Sequence, residues 1–270
     1  MSDPLIHRRT APVGSMTLRL ALRDVAGITQ RNLRRIARTP QLLIISIVQP
    51  TILLLLFRYV LGGAIKIPGV NYVDYIVPAI FLEAVLIGGM TTSLALSQDL
   101  QSGIIDRFRS LPMARSAVLA GRTLADAARS VVGLAFMLGL GFAVGFRIHN
   151  TLAATVAGLV LVVVFGYVFS WVYAAVGLAV KDPQTAQMAA IIPMFLLFFA
   201  SSAVVPVSTM PGWLQPFARN QPVSVTIQAT RALLEGGAVF HPMWQALLWC
   251  GAIFLAFLAL SLHLYRSATS

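Results

Sequence analysis

Six long, nearly unbroken apolar stretches constrain the fold more than any other feature of this sequence. They cover residues 41–61, 72–97, 127–146, 151–180, 186–207 and 244–265. A helix needs about 20 apolar residues to cross the hydrocarbon core of a bilayer, and each stretch reaches that length. Strands survive in lipid only as a closed barrel, and barrel strands alternate apolar and polar residues. These stretches do not alternate. Composition agrees: of 270 residues, 58% are hydrophobic and 11% charged, a larger apolar share than a soluble core of this size absorbs.

The expected fold is therefore an all-α integral membrane protein with six transmembrane helices. An N-terminal amphipathic interface helix precedes them, and a re-entrant or interfacial segment precedes the last. The interface helix is read at 16–39, where Leu18, Leu22, Val25, Leu33 and Ile36 recur at helical spacing with arginines on other faces. A merely solvated basic leader is the alternative. Residues 208–243 hold Pro211, Trp213, Pro216, Pro222, Gly236 and Gly237 around a helical patch at 223–234. That segment is too broken to span and too apolar for free solvent. The chain thus divides into a leader at 1–40 and a six-helix transmembrane domain at 41–270, with a cytoplasmic loop at 98–116 and an outer segment at 208–243.

The net charge of +11 is placed asymmetrically. Arg8, Arg9, Arg19, Arg23, Arg31, Arg34, Arg35 and Arg38 precede the first apolar stretch. Arg107, Arg109, Arg115, Arg122, Lys181 and Arg266 fall on the same side if six helices cross, which makes fourteen in all. Arg58, Lys66, Arg147, Arg219 and Arg231 fall on the other, five in all. Basic residues stay with the cytoplasm, so both termini are expected there. The basic balance reads as membrane orientation and not as a nucleic-acid surface. Tyr59, Tyr72, Tyr75, Trp244 and Tyr265 lie near helix ends, where aromatic belts form.

Cys250 is the single cysteine, so no intrachain disulfide or thiolate metal cluster is expected, and His7, His149, His241 and His263 lack ligand spacing. A cleavable signal peptide is not expected behind so long a basic leader. A P-loop needs a lysine directly after glycine. Lys66 follows Ile65 and Lys181 follows Val180, so no such nucleotide site is expected on this chain.

Three features carry candidate mechanism. The loop QDLQSGIIDRFRSLPMARS at 98–116 is the longest cytoplasmic connection. It combines Asp99, Asp106, Arg107 and Arg109 with Ile104, Ile105 and Phe108. An apolar anchor inside a polar rim is how interfaces concentrate energy; a solvated loop touching the bilayer surface is the alternative. Arg122, Asp126 and Arg129 follow at i, i+4, i+7, a charge ladder on one helix face. It could pass motion from the loop into the bundle or simply bring a long helix into water. Glu83 sits mid-way along the second stretch among Phe81, Leu82, Val85 and Leu86, where an acid costs about 3 kcal/mol. It should face the bundle interior, as a transport-pathway contact or as an inter-helix hydrogen bond to a group such as Thr91 or Ser201. Pro50, Pro78 and Pro193 interrupt apolar runs, and Gly88, Gly89, Gly139, Gly141 and Gly145 permit close helix approach.

The stretch DYIVPAIFLEAV, the loop GIIDRFRSLPMARSAVLAGRTLAD and the late segment PGWLQPFARNQPVSVTIQATRALL resemble the permeases of the ABC type-2 exporter family. The likeness is to the daunorubicin-resistance (DrrB-like) branch. The resemblance implies a bacterial inner-membrane permease that works with a separate ABC ATPase subunit and a second permease copy, identical or related. It implies ATP and Mg on that partner with no cofactor on this chain, and a hydrophobic small-molecule or lipid substrate. It also implies that Gly103, Ile104, Asp106, Arg107, Phe108 and Arg109 dock into the ATPase, and that the pathway is a cavity at the permease dimer interface. The resemblance assigns no role to Glu83, and the question stays open. An ion-gradient-driven secondary transporter is the alternative, followed by a membrane enzyme and a structural scaffold.

Overall fold

The computed structural model of the chain describes residues 29, 40–65, 67, 69–102, 115–180 and 182–267. The described residues form eight α-helices and no strand. These are α1 (Pro40–Leu56), α2 (Tyr72–Gln101), α3 (Arg115–Ala143), α4 (Leu152–Ala179), α5 (Pro183–Phe199), α6 (Gln215–Asn220), α7 (Pro222–Glu235) and α8 (Phe240–Ser267). A π-helical turn, Phe57–Leu61, extends α1, and a 3₁₀ turn, Val207–Thr209, precedes α6. Segments within α2, α3, α4 and α8 are long and apolar enough to cross a membrane; Ile47–Leu61 and Pro183–Phe199 are shorter apolar helices.

The central element is α2. It packs against α1, α3, α4, α5 and α7, and Ile76, Val77, Ala79, Ile80, Phe81, Leu82 and Leu86 have no exposed surface. A helix apolar all round belongs in the middle of a bundle, which is where α2 lies. Close approach to α4 depends on glycine. A side chain at Gly177 would strike the Ser93 backbone, and one at Gly89 would strike the Tyr173 ring. α8 packs on α4 and α7 and leaves Leu247, Leu248 and Leu255 exposed. A second apolar cluster joins Leu96, Leu119, Trp171, Leu178 and Tyr265 at the other end of the bundle.

Helix starts follow local chemistry. Thr151 caps α4 by accepting from Ala154 N at 3.3 Å. Asp182 Oδ2 caps α5, accepting from Thr185 N at 2.7 Å and from Thr185 Oγ1 at 2.6 Å, with Pro183 following it. These bonds hold the exposed Asp182 carboxyl below its usual range. Gln221 caps α7 through Val223 N at 2.9 Å, and its Nε2 donates to Leu197 O at the end of α5, also at 2.9 Å.

Three expected boundaries move. The third apolar stretch, read at 127–146, is part of a helix beginning at Arg115 and ending at Ala143. It starts early enough to carry Arg122, Asp126 and Arg129, all of which find partners, and it ends early at a turn where Gly145 has φ 103° and Phe146 N bonds Gly141 O at 2.9 Å. The fifth stretch, read at 186–207, is helical only to Phe199. Beyond it Ser202 N bonds Ser224 Oγ at 2.9 Å, so the backbone turns to meet α7 instead of continuing as helix. The segment at 208–243 holds the helices α6 and α7. Its helix α7 buries Val223, Val225, Ile227, Ala229 and Leu234 against α2, α4, α5 and α8. Of the five aromatics assigned to belts, Tyr59 and Trp244 are exposed, whereas Tyr72, Tyr75 and Tyr265 are buried in the bundle. Pro50, Pro78 and Pro193 do lie inside helices.

Candidate transport and coupling site

The connection between α2 and α3 springs from two helix ends that are bound together. Arg122 Nη1 of α3 meets Asp99 Oδ2 of α2 at 2.6 Å. Further into the bundle, Asp126 accepts from Thr92 Oγ1 of α2 and pairs with Arg129 Nη2 at 3.1 Å. Arg129 Nη2 also donates to the Gly88 carbonyl, which receives Thr91 Oγ1 at 3.0 Å as well. Asp126 and Arg129 are 8% and 7% exposed. Each charge is therefore neutralised beside the other, the condition under which buried ions persist. A cavity of about 20 Å³, lined by Ala84, Val85, Gly88, Arg129, Ser130 and Gly133, lies alongside and has room for one water.

The expected ladder of Arg122, Asp126 and Arg129 is thus divided. Arg129 pairs with Asp126, but Arg122 reaches across to Asp99, 23 residues earlier. The result is two staples between helices instead of one ladder along a single helix. α4 joins the same end: Ser97 Oγ donates to Val180 O at 2.9 Å. Thr29 Oγ1 donates to Gly121 O at 3.1 Å and places one leader residue on α3. The remainder of the expected interface helix, and all of Gly103, Ile104, Asp106, Arg107, Phe108 and Arg109, lie outside the described residues.

Glu83 is 2% exposed at the middle of α2. Its partner is neither Thr91 nor Ser201, which bond the carbonyls of Gly88 and Phe198 in their own segments. Gln49 of α1 donates from Nε2 to Glu83 Oε1 at 2.8 Å instead. Glu83 Oε2, Gln49 Oε1 and the Tyr173 hydroxyl are buried without a hydrogen-bond partner.

At the opposite end of α2, Arg231 of α7 does what no sequence pattern announced. Its Nη2 and Nε donate to Tyr75 O at 2.7 and 3.1 Å, Nη2 also reaches Ser202 O at 3.3 Å, and the guanidinium lies 3.6 Å from the Tyr75 ring centroid. Tyr75 Oη in turn donates to Ser202 O at 2.8 Å. One planar cation thereby ties α2, the end of α5 and α7 together. Glu235, one turn on, is pushed up to about 7 by burial, against the attraction of Arg231. The only available signal was a lone arginine inside the apolar patch at 223–234.

Residues 24–234 match the family model described as ABC-2 type transporter. This chain belongs to the ABC-2 type transporter family. It is a permease, a transport subunit and not the ATPase. It is 34% identical over 228 residues to the daunorubicin resistance ABC transporter permease protein DrrB1 of Streptomyces coeruleorubidus, covering 84% of this chain and 81% of that protein. It is 31% identical over 226 residues to a probable doxorubicin resistance ABC transporter permease protein, DrrC, of Mycobacterium tuberculosis, covering 83% and 82%. A more distant similarity, 25% over 236 residues, links this permease to the putative transport permease ycf38 of Cyanophora paradoxa, covering 85% and 79%.

Proposed function

We propose that this permease crosses the bacterial inner membrane six times with both termini in the cytoplasm, and that it exports hydrophobic drug-like or lipid-like molecules. An ABC ATPase that carries ATP and Mg drives it, and a second permease copy completes the pathway. The observation that carries this reading is the pair of staples at the root of the α2–α3 connection. A bundle responds to nucleotide bound elsewhere only if that partner grips a part whose two states differ in contacts. Asp99–Arg122 and Asp126–Thr92 join the two helices, so a push on the loop between them moves both. Gly103, Ile104, Asp106, Arg107, Phe108 and Arg109 are the residues assigned to the ATPase contact. Asp126 and Arg129 transmit its motion to α2. The relatives named for daunorubicin and doxorubicin resistance support the choice of cargo.

The test is reconstitution of the permease with an ABC ATPase in vesicles, with doxorubicin as cargo. Transport should require ATP and be lost, together with co-purification of the ATPase, in a variant carrying Phe108→Ala and Arg107→Glu. Transport that survives ATP depletion but collapses with the proton gradient would overturn the reading in favour of a secondary transporter.

A further inference from the structure

Glu83 and Gln49 present a mismatch that one proton resolves. The Gln49 amide donates to one carboxyl oxygen of Glu83 at 2.8 Å. The two remaining oxygens, Glu83 Oε2 and Gln49 Oε1, are both shielded and neither has a donor. An ionised carboxylate has no hydrogen to offer, so as an anion it would leave the Gln49 oxygen unsatisfied. A carboxylic acid and a carboxamide are complementary: the amide N–H donates to one oxygen of the acid, and the acid O–H donates to the oxygen of the amide. In that pairing a single hydrogen serves both oxygens, the acid Oε2 and the amide Oε1.

The surroundings supply no alternative counter-charge. Arg129 of α3 is committed to Asp126 and to Gly88 O. α4 and α5 contain no charged residue, and the Tyr173 hydroxyl of α4, which interacts electrostatically with Glu83, is a neutral donor and not a cation. Arg58, in the turn after α1, donates to Val144 O at 3.3 Å and lies over the Tyr59 ring. Arg231 and Glu235 of α7 stand near Tyr75, eight residues and about 12 Å along α2 from Glu83. A buried carboxylate with no cation beside it is the form that low-dielectric surroundings tolerate least.

We infer that Glu83 is a proton-binding site, and that the acid–amide pair it makes with Gln49 is a latch holding α1 to the central helix. Removing the proton sets the Glu83 charge against the Gln49 amide oxygen and breaks one of the two hydrogen bonds, so the latch loosens and the helices part at this level. This assignment stands on the Gln49–Glu83 geometry alone and does not depend on the nature of the cargo or on ATP. The proton is a switch on one helix contact and not a driving ion.

Infrared difference spectroscopy on the purified full-length permease in lipid vesicles tests it. Near neutral pH the wild type should show a hydrogen-bonded carboxylic acid C=O band that disappears in Glu83→Gln. Gln49→Leu, which keeps the acid and removes its partner, should retain the band and move it to the free-acid position. A Glu83-dependent carboxylate band in place of the acid band would overturn the site. An acid band left unmoved by Gln49→Leu would overturn the latch. Crosslinking between cysteines placed on α1 and α2 should fall as pH rises in the wild type and be independent of pH in Glu83→Gln, whose amide can make both bonds without a proton.

Discussion

Two polar clusters lie on the same helix, nine residues apart, and they solve burial differently. At Thr92 the carboxylate of Asp126 has both oxygens engaged and an arginine beside it. At Glu83 a carboxyl of similar burial has one neutral donor and no cation. The first cluster is neutral as it stands, and it joins α2 and α3, the two helices that flank the connection at 102–114. The second is complete only with an added proton, and it joins α2 to the helix that follows the leader. A self-compensated cluster suits a part that must stay rigid. A cluster one hydrogen short suits a contact that must release.

The largest effect should come from removing half of the compensated cluster. Asp126→Ala leaves the Arg129 guanidinium buried without its counter-ion, which costs about 3–5 kcal/mol when a buried pair is broken. Thermal unfolding of the purified permease in detergent should register it. Adding Arg129→Met to that variant should recover most of the loss, because the penalty lies in the abandoned charge and not in the missing bond. A double variant as unstable as the single would show that the cluster is more than a neutralised pair. Next in size is the Asp99–Arg122 staple. It is partly solvated, with side chains 20% and 16% exposed, so exposed-pair values of about 0.2–1 kcal/mol apply. A double-mutant cycle on these two residues should show a coupling in that range that weakens with salt. The smallest effect is expected at Glu83. Glu83→Gln should leave stability nearly unchanged, since two amides can pair and inter-helix hydrogen bonds in membranes average about 0.6 kcal/mol. A destabilisation as large as that of Asp126→Ala would erase the distinction between the clusters.

The apolar stretches made most of the helices legible, because lipid demands length and continuity and the sequence displays both. α2 and α4 begin and end within four residues of where hydropathy placed them. The end of α5 is not legible in hydropathy because its stop depends on Ser224 and Gln221, which reach it from a later segment. The site was legible in part. Glu83 announced itself as an acid in an apolar run, but Gln49 lies 34 residues away on another helix, where no spacing rule points. The pairing of Asp126 with Arg129 follows from i, i+3 spacing. The choice of Asp99 by Arg122 depends on how the chain returns after the loop. In the sequence Arg231 is one more cation between two apolar stretches; its grip on Tyr75 O and Ser202 O exists only once α7 is folded into the bundle.

The rigidity of the α2–α3 hairpin can be measured directly as a distance. With Cys250 replaced by serine, spin labels at the exposed positions Gln98 and Leu124 would report the separation of the two helix ends. A second pair, at Gln98 and the exposed Met188 of α5, would report movement of the hairpin against the rest of the bundle. On trapping ATP on the ATPase partner, the first distribution should stay fixed while the second shifts. A first distance that changes with nucleotide would mean that the staples yield, and that the hairpin is not the lever.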